Sequence, residues 1–150
     1  MSLLKKFIEK LYLSFDDNLV YFDSVTHCKT RFYYDYVAKS KYQKRECCIV
    51  YVDVNGLKQI NDNDGHYQGT KLIKEISNSL LSLENVIDTC RIGGDEFVLI
   101  CNMNFDDTEI KKLKEKISYG IVYKETYEDL SSAVKKADNE MYKMKRNTKQ

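Results

Sequence analysis

One stretch limits the fold more than any other. CCIVYVDV, residues 47–54, is an unbroken apolar run with a single acid, Asp53, near its far end. Eight residues without polar alternation do not suit a strand with one wet face. They predict a central strand buried on both sides, so the rest of the chain must supply two covering layers. LIKEISNSLLSL (72–83) repeats apolar residues at Leu72, Ile73, Ile76, Leu80 and Leu83, the spacing of a helix. The last helix shows the same stripe at Leu130, Val134, Ala137, Met141 and Met144, and DDTEIKKLKEKI (106–117) reads as a charged amphipathic helix. RIGGDEFVLI (91–100) sets apolar flanks around two glycines and two acids. Strands are expected at about 86–92 and 96–102, joined as a tight hairpin in which Gly93 and Gly94 supply positive φ. SYGIVY (118–123) is a further short strand, and NDNDGH (61–66) has turn chemistry.

The order strand–helix–strand–strand–helix–strand–helix is α+β. It matches a ferredoxin-like βαββαβ core with an antiparallel hairpin and helices on the sheet faces. The chain has 150 residues, enough for one domain, with no proline, and it lacks internal repeats and low-complexity segments. At the N-terminus, residues 3–13 place Leu3, Leu4, Phe7, Ile8 and Leu11 on one helical face. Residues 1–14 are read either as a lid or as the stump of a dimerising helix, and 15–150 as the domain.

Charge and cysteine usage narrow the class of function. Lys and Arg total 24 against 23 Asp and Glu, a formal net charge of +1. No basic field speaks for a nucleic-acid polymer or an anionic membrane. No apolar run approaches the ~20 residues that span a bilayer. No secretory signal opens the chain, so a cytoplasmic protein is expected. The five cysteines are odd in number and match no zinc spacing, which suits buried reduced thiols. NDNDG fails as a calcium loop, because Ile60 and Lys71 would fall at its first and last ligand positions. His66, after a turn glycine, is read as structural.

In this topology the hairpin lies beside the first strand, so its tip comes close to Asp53. Asp53, Asp95 and Glu96 would then converge at one edge. Clustered carboxylates repel and are costly to bury without a cation. A hard divalent ion held by one or two carboxylates, water and substrate phosphate answers that need. A solvated hairpin carrying ordinary surface acids answers it equally well from the tip alone.

Five blocks in order resemble the GGDEF family, the diguanylate cyclases: DSVTHCKTR (23–31), VDVNGLKQINDNDGHYQGTKL (52–72), RIGGDEF (91–97), SYGIV (118–122) and ADNEMYKMK (137–145). The resemblance implies a palm-type fold, and a dimer of domains that joins two GTP into a cyclic dinucleotide with release of pyrophosphate. It implies Mg²⁺ or Mn²⁺, two per site, on Asp53, the Val54 carbonyl, Asp95 and Glu96. Glu96 would orient or deprotonate the attacking hydroxyl. Lys58 and Lys145 would meet phosphate charge, with Lys149 a turn beyond, and N–H groups after Asp53 would cradle the triphosphate. Gly93 and Gly94 let the substrate approach the backbone. Asn61 falls on a base-reading position, and Cys28 lies near it. Asp23 and Arg31 match a pair that fixes the opening turn by a salt bridge.

The chain departs from the family in three places. The guanine-reading acid is Thr70, which has a hydroxyl and no charge, so guanine preference should fall and ATP should compete. The inhibitory Arg-x-x-Asp is replaced by Glu84 and Ile87, with Asp88 one position late. The segment before SYGIV is short, as in the minimal CRISPR-type polymerases that make adenine-containing cyclic nucleotides, the alternative enzymatic reading. A catalytically silent nucleotide-binding domain is the non-enzymatic one.

Overall fold

The computed structural model describes residues 20–148. The predicted N-terminal helix and Lys149 lie outside them. β1 (Cys47–Val54), β2 (Val86–Arg91), β3 (Glu96–Cys101) and β4 (Ile117–Lys124) form one sheet in the order β2–β3–β1–β4, every neighbouring pair antiparallel. All eight residues of β1 are buried, as the unbroken apolar run requires. The α+β, βαββαβ core is the one expected, with the hairpin β2–β3 laid beside the first strand.

Alternate residues of β1 feed two separate cores. Cys48, Val50, Val52 and Val54 pack with Phe97, Leu99 and with Ile73, Ile76 and Leu80 of the long helix on that face. Cys47, Ile49 and Tyr51 pack with Val98 and Ile100, and with Leu130, Ala133, Ala137 and Met141 on the opposite face. The molecule is thus three layers, helix–sheet–helix. Asp53, odd like Tyr51, belongs to the second face. The five cysteines are all free and buried.

Four elements differ from expectation. Residues 61–64 are helical: α2 (Leu57–Asp64) and α3 (His66–Leu81) are separated only by Gly65, at φ 86°. That left-handed φ breaks the helix in one residue, so a polar, turn-like sequence still winds as helix on both sides. The charged segment 106–117 forms only α4 (Thr108–Lys111), followed by tight i→i−3 turns. Ile117 is claimed by the sheet, where it pairs with Val54. Residues 31–41 form a helix the apolar pattern does not announce, here α1: Arg31–Tyr33 and Lys39–Lys41 are α-helical and Tyr34–Ala38 π-helical. Thr30 caps its start, accepting from the Tyr33 N–H. Finally, Gly93 and Gly94 do not take positive φ, and the two glycines that do are Gly56 and Gly65.

Polar pins hold α1 to the sheet. Buried Asp88 of β2 accepts from Tyr33 Oη at 2.8 Å, Tyr42 Oη at 2.6 Å and Lys41 Nζ at 2.9 Å, all on Oδ2. A buried carboxylate needs such partners. Lys124, fully buried, donates to the carbonyls of Gln43, Arg45 and Glu125. These contacts commit Asp88 to the interior.

The last helix, α5 (Leu130–Thr148), crosses β4 at Gly120, where a β-carbon would strike the Ala137 carbonyl and the Met141 N–H. Backbone cannot yield as a flexible side chain does. Gly120→Ala should therefore lower stability by about 1–3 kcal/mol. The check is a fall in urea midpoint with an unchanged m-value.

Candidate active site

Strand register builds the site. Asp53 lies directly opposite Glu96 across β1 and β3, so the two side chains share a face. The Val54 N–H donates to the Asp95 carbonyl at 2.9 Å. A strand residue presents its N–H and carbonyl to the same side, so the Val54 carbonyl also faces the hairpin tip. The tip is therefore tied to the end of β1, as expected.

Two groups hold the acids. Lys145 of α5 donates to Asp53 Oδ1 at 2.5 Å, across 92 residues of sequence. Tyr51 donates to Glu96 Oε1 at 2.8 Å. Burial pushes the Asp53 carboxyl above its ordinary 3.8; the hydrogen bond and charge of Lys145 oppose the push, while the charges of Asp95 and Glu96 add to it. The rise comes first from burial, which the Lys145 contact does not offset.

Among the described residues, no three His, Cys, Asp or Glu side chains are gathered into a ready-made metal cage. The predicted convergence is thus two acids face to face with the third at the tip. The donor set still suits Mg²⁺, which takes one or two carboxylates and completes its shell with water and phosphate. A half-compensated, buried Asp53 beside the Val54 carbonyl provides such a start.

The glycine pair acts through space rather than φ. Glu96 Oε2 occupies the place a side chain at position 93 would need, while nothing stands within 4 Å of a β-carbon at Gly94. The backbone at Gly94 is open to a ligand's approach. The N–H groups of Val54 and Asn55 are committed to Asp95 and Lys116, so the expected cradle begins only with the first turn of α2, whose N–H groups lack intrahelical acceptors. Lys58, in that turn, is exposed. Asn61 is half-buried and its amide oxygen fills the space beside Gly69; Thr70, one residue on, is exposed.

Two assignments are corrected. Cys28 is fully buried in the core, and burial raises its thiol pKa, so it offers no ligand-facing surface. Asp23 does not pair with Arg31. Arg31 holds Asp35 at 2.9 Å, one helical turn away, while Asp23 Oδ1 receives Arg91 at 3.1 Å. Arg91 also donates to the Gly94 carbonyl at 2.7 Å, linking the opening turn to the hairpin tip. Sequence reasoning passed over Tyr51, Arg91 and Asp138, whose charge reaches the Tyr51 phenol. Tyr51 reads as one more core aromatic, and only its odd parity with Asp53 hints at the site.

The profile of the family described as "Diguanylate cyclase, GGDEF domain" matches residues 20–117. The chain belongs to the GGDEF family. It is 28% identical over 154 residues to Diguanylate cyclase A of Treponema denticola, covering 83% of this chain and 42% of that protein. It is 32% identical over 94 residues to the uncharacterised protein YhcK of Bacillus subtilis, covering 57% of this chain and 26% of the other. The chain thus spans less than half the length of either relative. The coiled coil and GGDEF domain of DgcB from Caulobacter crescentus, in complex with c-di-GMP, superposes with TM-score 0.77 at 18% identity, covering 95% of this chain and 91% of that one. That likeness establishes the GGDEF fold. Among the described residues, no helix is long and apolar enough to cross a membrane.

In this GGDEF domain the Asp23–Arg91 tie has a pH signature. Burial raises the Asp23 carboxyl, but hydrogen bonds from Thr26 and the charge of Arg91 outweigh it and leave the pKa below the ordinary 3.8. A depressed carboxylate contributes stability above its unfolded pKa and loses it as pH falls through the folded one. Asp23→Ala should cost about 1.5–3 kcal/mol at neutral pH. The deficit should shrink in acid below the ordinary 3.8. Urea denaturation at both pH values reads it.

Proposed function

We propose that this domain condenses two nucleoside triphosphates, GTP foremost, into a cyclic dinucleotide in the cytoplasm. The 3′-oxygen of each nucleotide attacks the other's α-phosphorus, the α–β bridging bond breaks, and one pyrophosphate leaves per bond formed. The observation that carries this reading is the face-to-face register of Asp53 and Glu96 beside the tip residue Asp95, within a chain of the GGDEF family.

Asp53, the Val54 carbonyl, Asp95 and Glu96 would hold divalent metal, Mg²⁺ or Mn²⁺, two ions per site. Bound there, it supplies charge neutralisation for the attacking and leaving oxygens. The protein's own groups do the rest. Glu96 accepts the proton of the attacking hydroxyl. Lys58 and Lys145 meet the phosphate charge, a role the sequence resemblance also gives to Lys149. For Lys145 this role would mean giving up its bond to Asp53 in favour of phosphate. The first turn of α2 offers N–H groups to phosphate oxygens. One domain offers one half-site, so turnover needs two domains with their nucleotides antiparallel. Activity per protomer should therefore rise with protein concentration, and a flat dependence where sedimentation finds only monomer would exclude the shared site.

Asn61 and Thr70 are assigned to the base. Guanine presents two adjacent donors on its Watson–Crick edge, which a carboxylate answers together. The Thr70 hydroxyl is uncharged and rotates, so a wrong base leaves no buried charge unpaired. The expected result is GTP use with weakened preference, ATP entering the product.

The deciding assay is pyrophosphate release with Mg²⁺ and each nucleoside triphosphate in turn, followed by product analysis from mixtures. Asp95→Ala should abolish release while the unfolding transition stays cooperative. Thr70→Asp should raise guanine over adenine selectivity about tenfold or more. Full activity of Asp95→Ala, or in excess chelator, would rule the mechanism out.

A further inference from the structure

Glu96 is fixed by a residue outside every motif of the chain. Tyr51 precedes Asp53 by two on β1 and shares its face of the sheet. In register it stands opposite Val98, and its phenol reaches the diagonal neighbour, donating to Glu96 Oε1 at 2.8 Å. The ring is only 6% exposed and is packed in the core that includes Ala137 and Met141 of α5. The other carboxylate oxygen, Oε2, rests in the space beside Gly93. One oxygen of Glu96 is thus held by the phenol, while the other lies where a side chain at position 93 would stand.

We propose that Tyr51 is a positioning residue for Glu96, holding its carboxylate in the orientation from which it serves the attacking hydroxyl. The role rests on the cyclase reading above. A glutamate has three side-chain torsions, and a group that must meet a reacting hydroxyl loses rate when it is free to wander. The phenol hydrogen bond removes that freedom without occupying Oε2. Toward an ionised carboxylate the phenol can only donate, so the contact has one sense. Asp53 has its own holder in Lys145, which leaves the two facing acids independently oriented.

The test is a double-mutant cycle on pyrophosphate release with Mg²⁺ and the nucleoside triphosphate that wild type turns over. Wild type, Tyr51→Phe, Glu96→Gln and the double variant are compared, with a urea midpoint for each. Phenylalanine keeps the ring and loses only the donor. The expected result is a fall in kcat of about tenfold for Tyr51→Phe, KM within about twofold, and no further loss when it is added to Glu96→Gln. Tyr51→Met, also without a hydroxyl, should show the same split and serves if Tyr51→Phe does not fold. Unchanged kcat in Tyr51→Phe, or an equal further loss in the Glu96→Gln background, would overturn the role while leaving the cyclase reading intact. Loss of cooperative unfolding in both Tyr51 variants would assign the residue to the core alone and overturn it too. A wild type that releases no pyrophosphate from any nucleoside triphosphate overturns the cyclase reading and this role together.

Discussion

The pairing of β1 with β3 is the constraint on which the rest depends. Its register puts Cys48 opposite Cys101 and Asp53 opposite Glu96. Strand side chains alternate, so a slip of one residue would send Asp53 to the face of α3 and bring Val52 or Val54 beneath α5. Two apolar cores oppose that slip, one on each side, because β1 is buried over all eight residues. The site's geometry therefore depends first on hydrophobic packing. The acids are carried to one another by a register they do nothing to stabilise.

Burial works against this placement of Asp53: it raises the carboxyl's pKa in spite of Lys145, with the charges of Asp95 and Glu96 adding to it. Such an arrangement persists only when the surrounding structure over-determines it. Three ties do so: the two cores, the Val54–Asp95 backbone bond, and the Arg91 guanidinium that joins Asp23 to the Gly94 carbonyl. The last reaches the tip from the segment through which the chain enters the domain. Lys29 lies alongside β2 there, its N–H bonded to the Thr89 carbonyl and its own carbonyl accepting from the Arg91 N–H. The opening segment is thus a partial extension of the sheet edge, and it braces the hairpin that carries Asp95.

Much of this could be read from residues, for reasons that differ by element. β1 and the hairpin were legible because an unbroken apolar run and a glycine pair admit few alternatives. Helix α3 was legible only in its apolar half; its first turn, HYQG, looks like loop because one left-handed glycine permits a change of direction without a loop. The segment 106–117 misled for the opposite reason. Its charges sustain a helical pattern, but Ile110 and Ile117 are buried in different settings, one in a short helix and one in a strand. Helix α1 was invisible because its aromatic and charged residues show no aliphatic stripe; its buried tyrosines Tyr33 and Tyr34 join the core as rings, and Tyr33 is also tied to Asp88 by its phenol. In the site, the acids were legible as types at a turn. Their holders were not: Lys145 is 92 residues from Asp53, and Arg91 is 68 from Asp23. No local pattern encodes a contact at that distance.

The cation on Asp53 explains why α5 matters to the site beyond its length. Gly120 lets that helix lie against β4 at backbone contact, and the close crossing sets how far along the sheet Lys145 reaches. Moving the helix outward by the width of a methyl group would draw Lys145 away from Asp53, leaving the acid with its burial and its like-charged neighbours. The same approach packs Ala137 and Met141 into the core around Tyr51, which directs the phenol to Glu96. A glycine in an edge strand thereby governs the partners of both facing acids, one through the helix that carries the lysine and one through the ring that the helix confines.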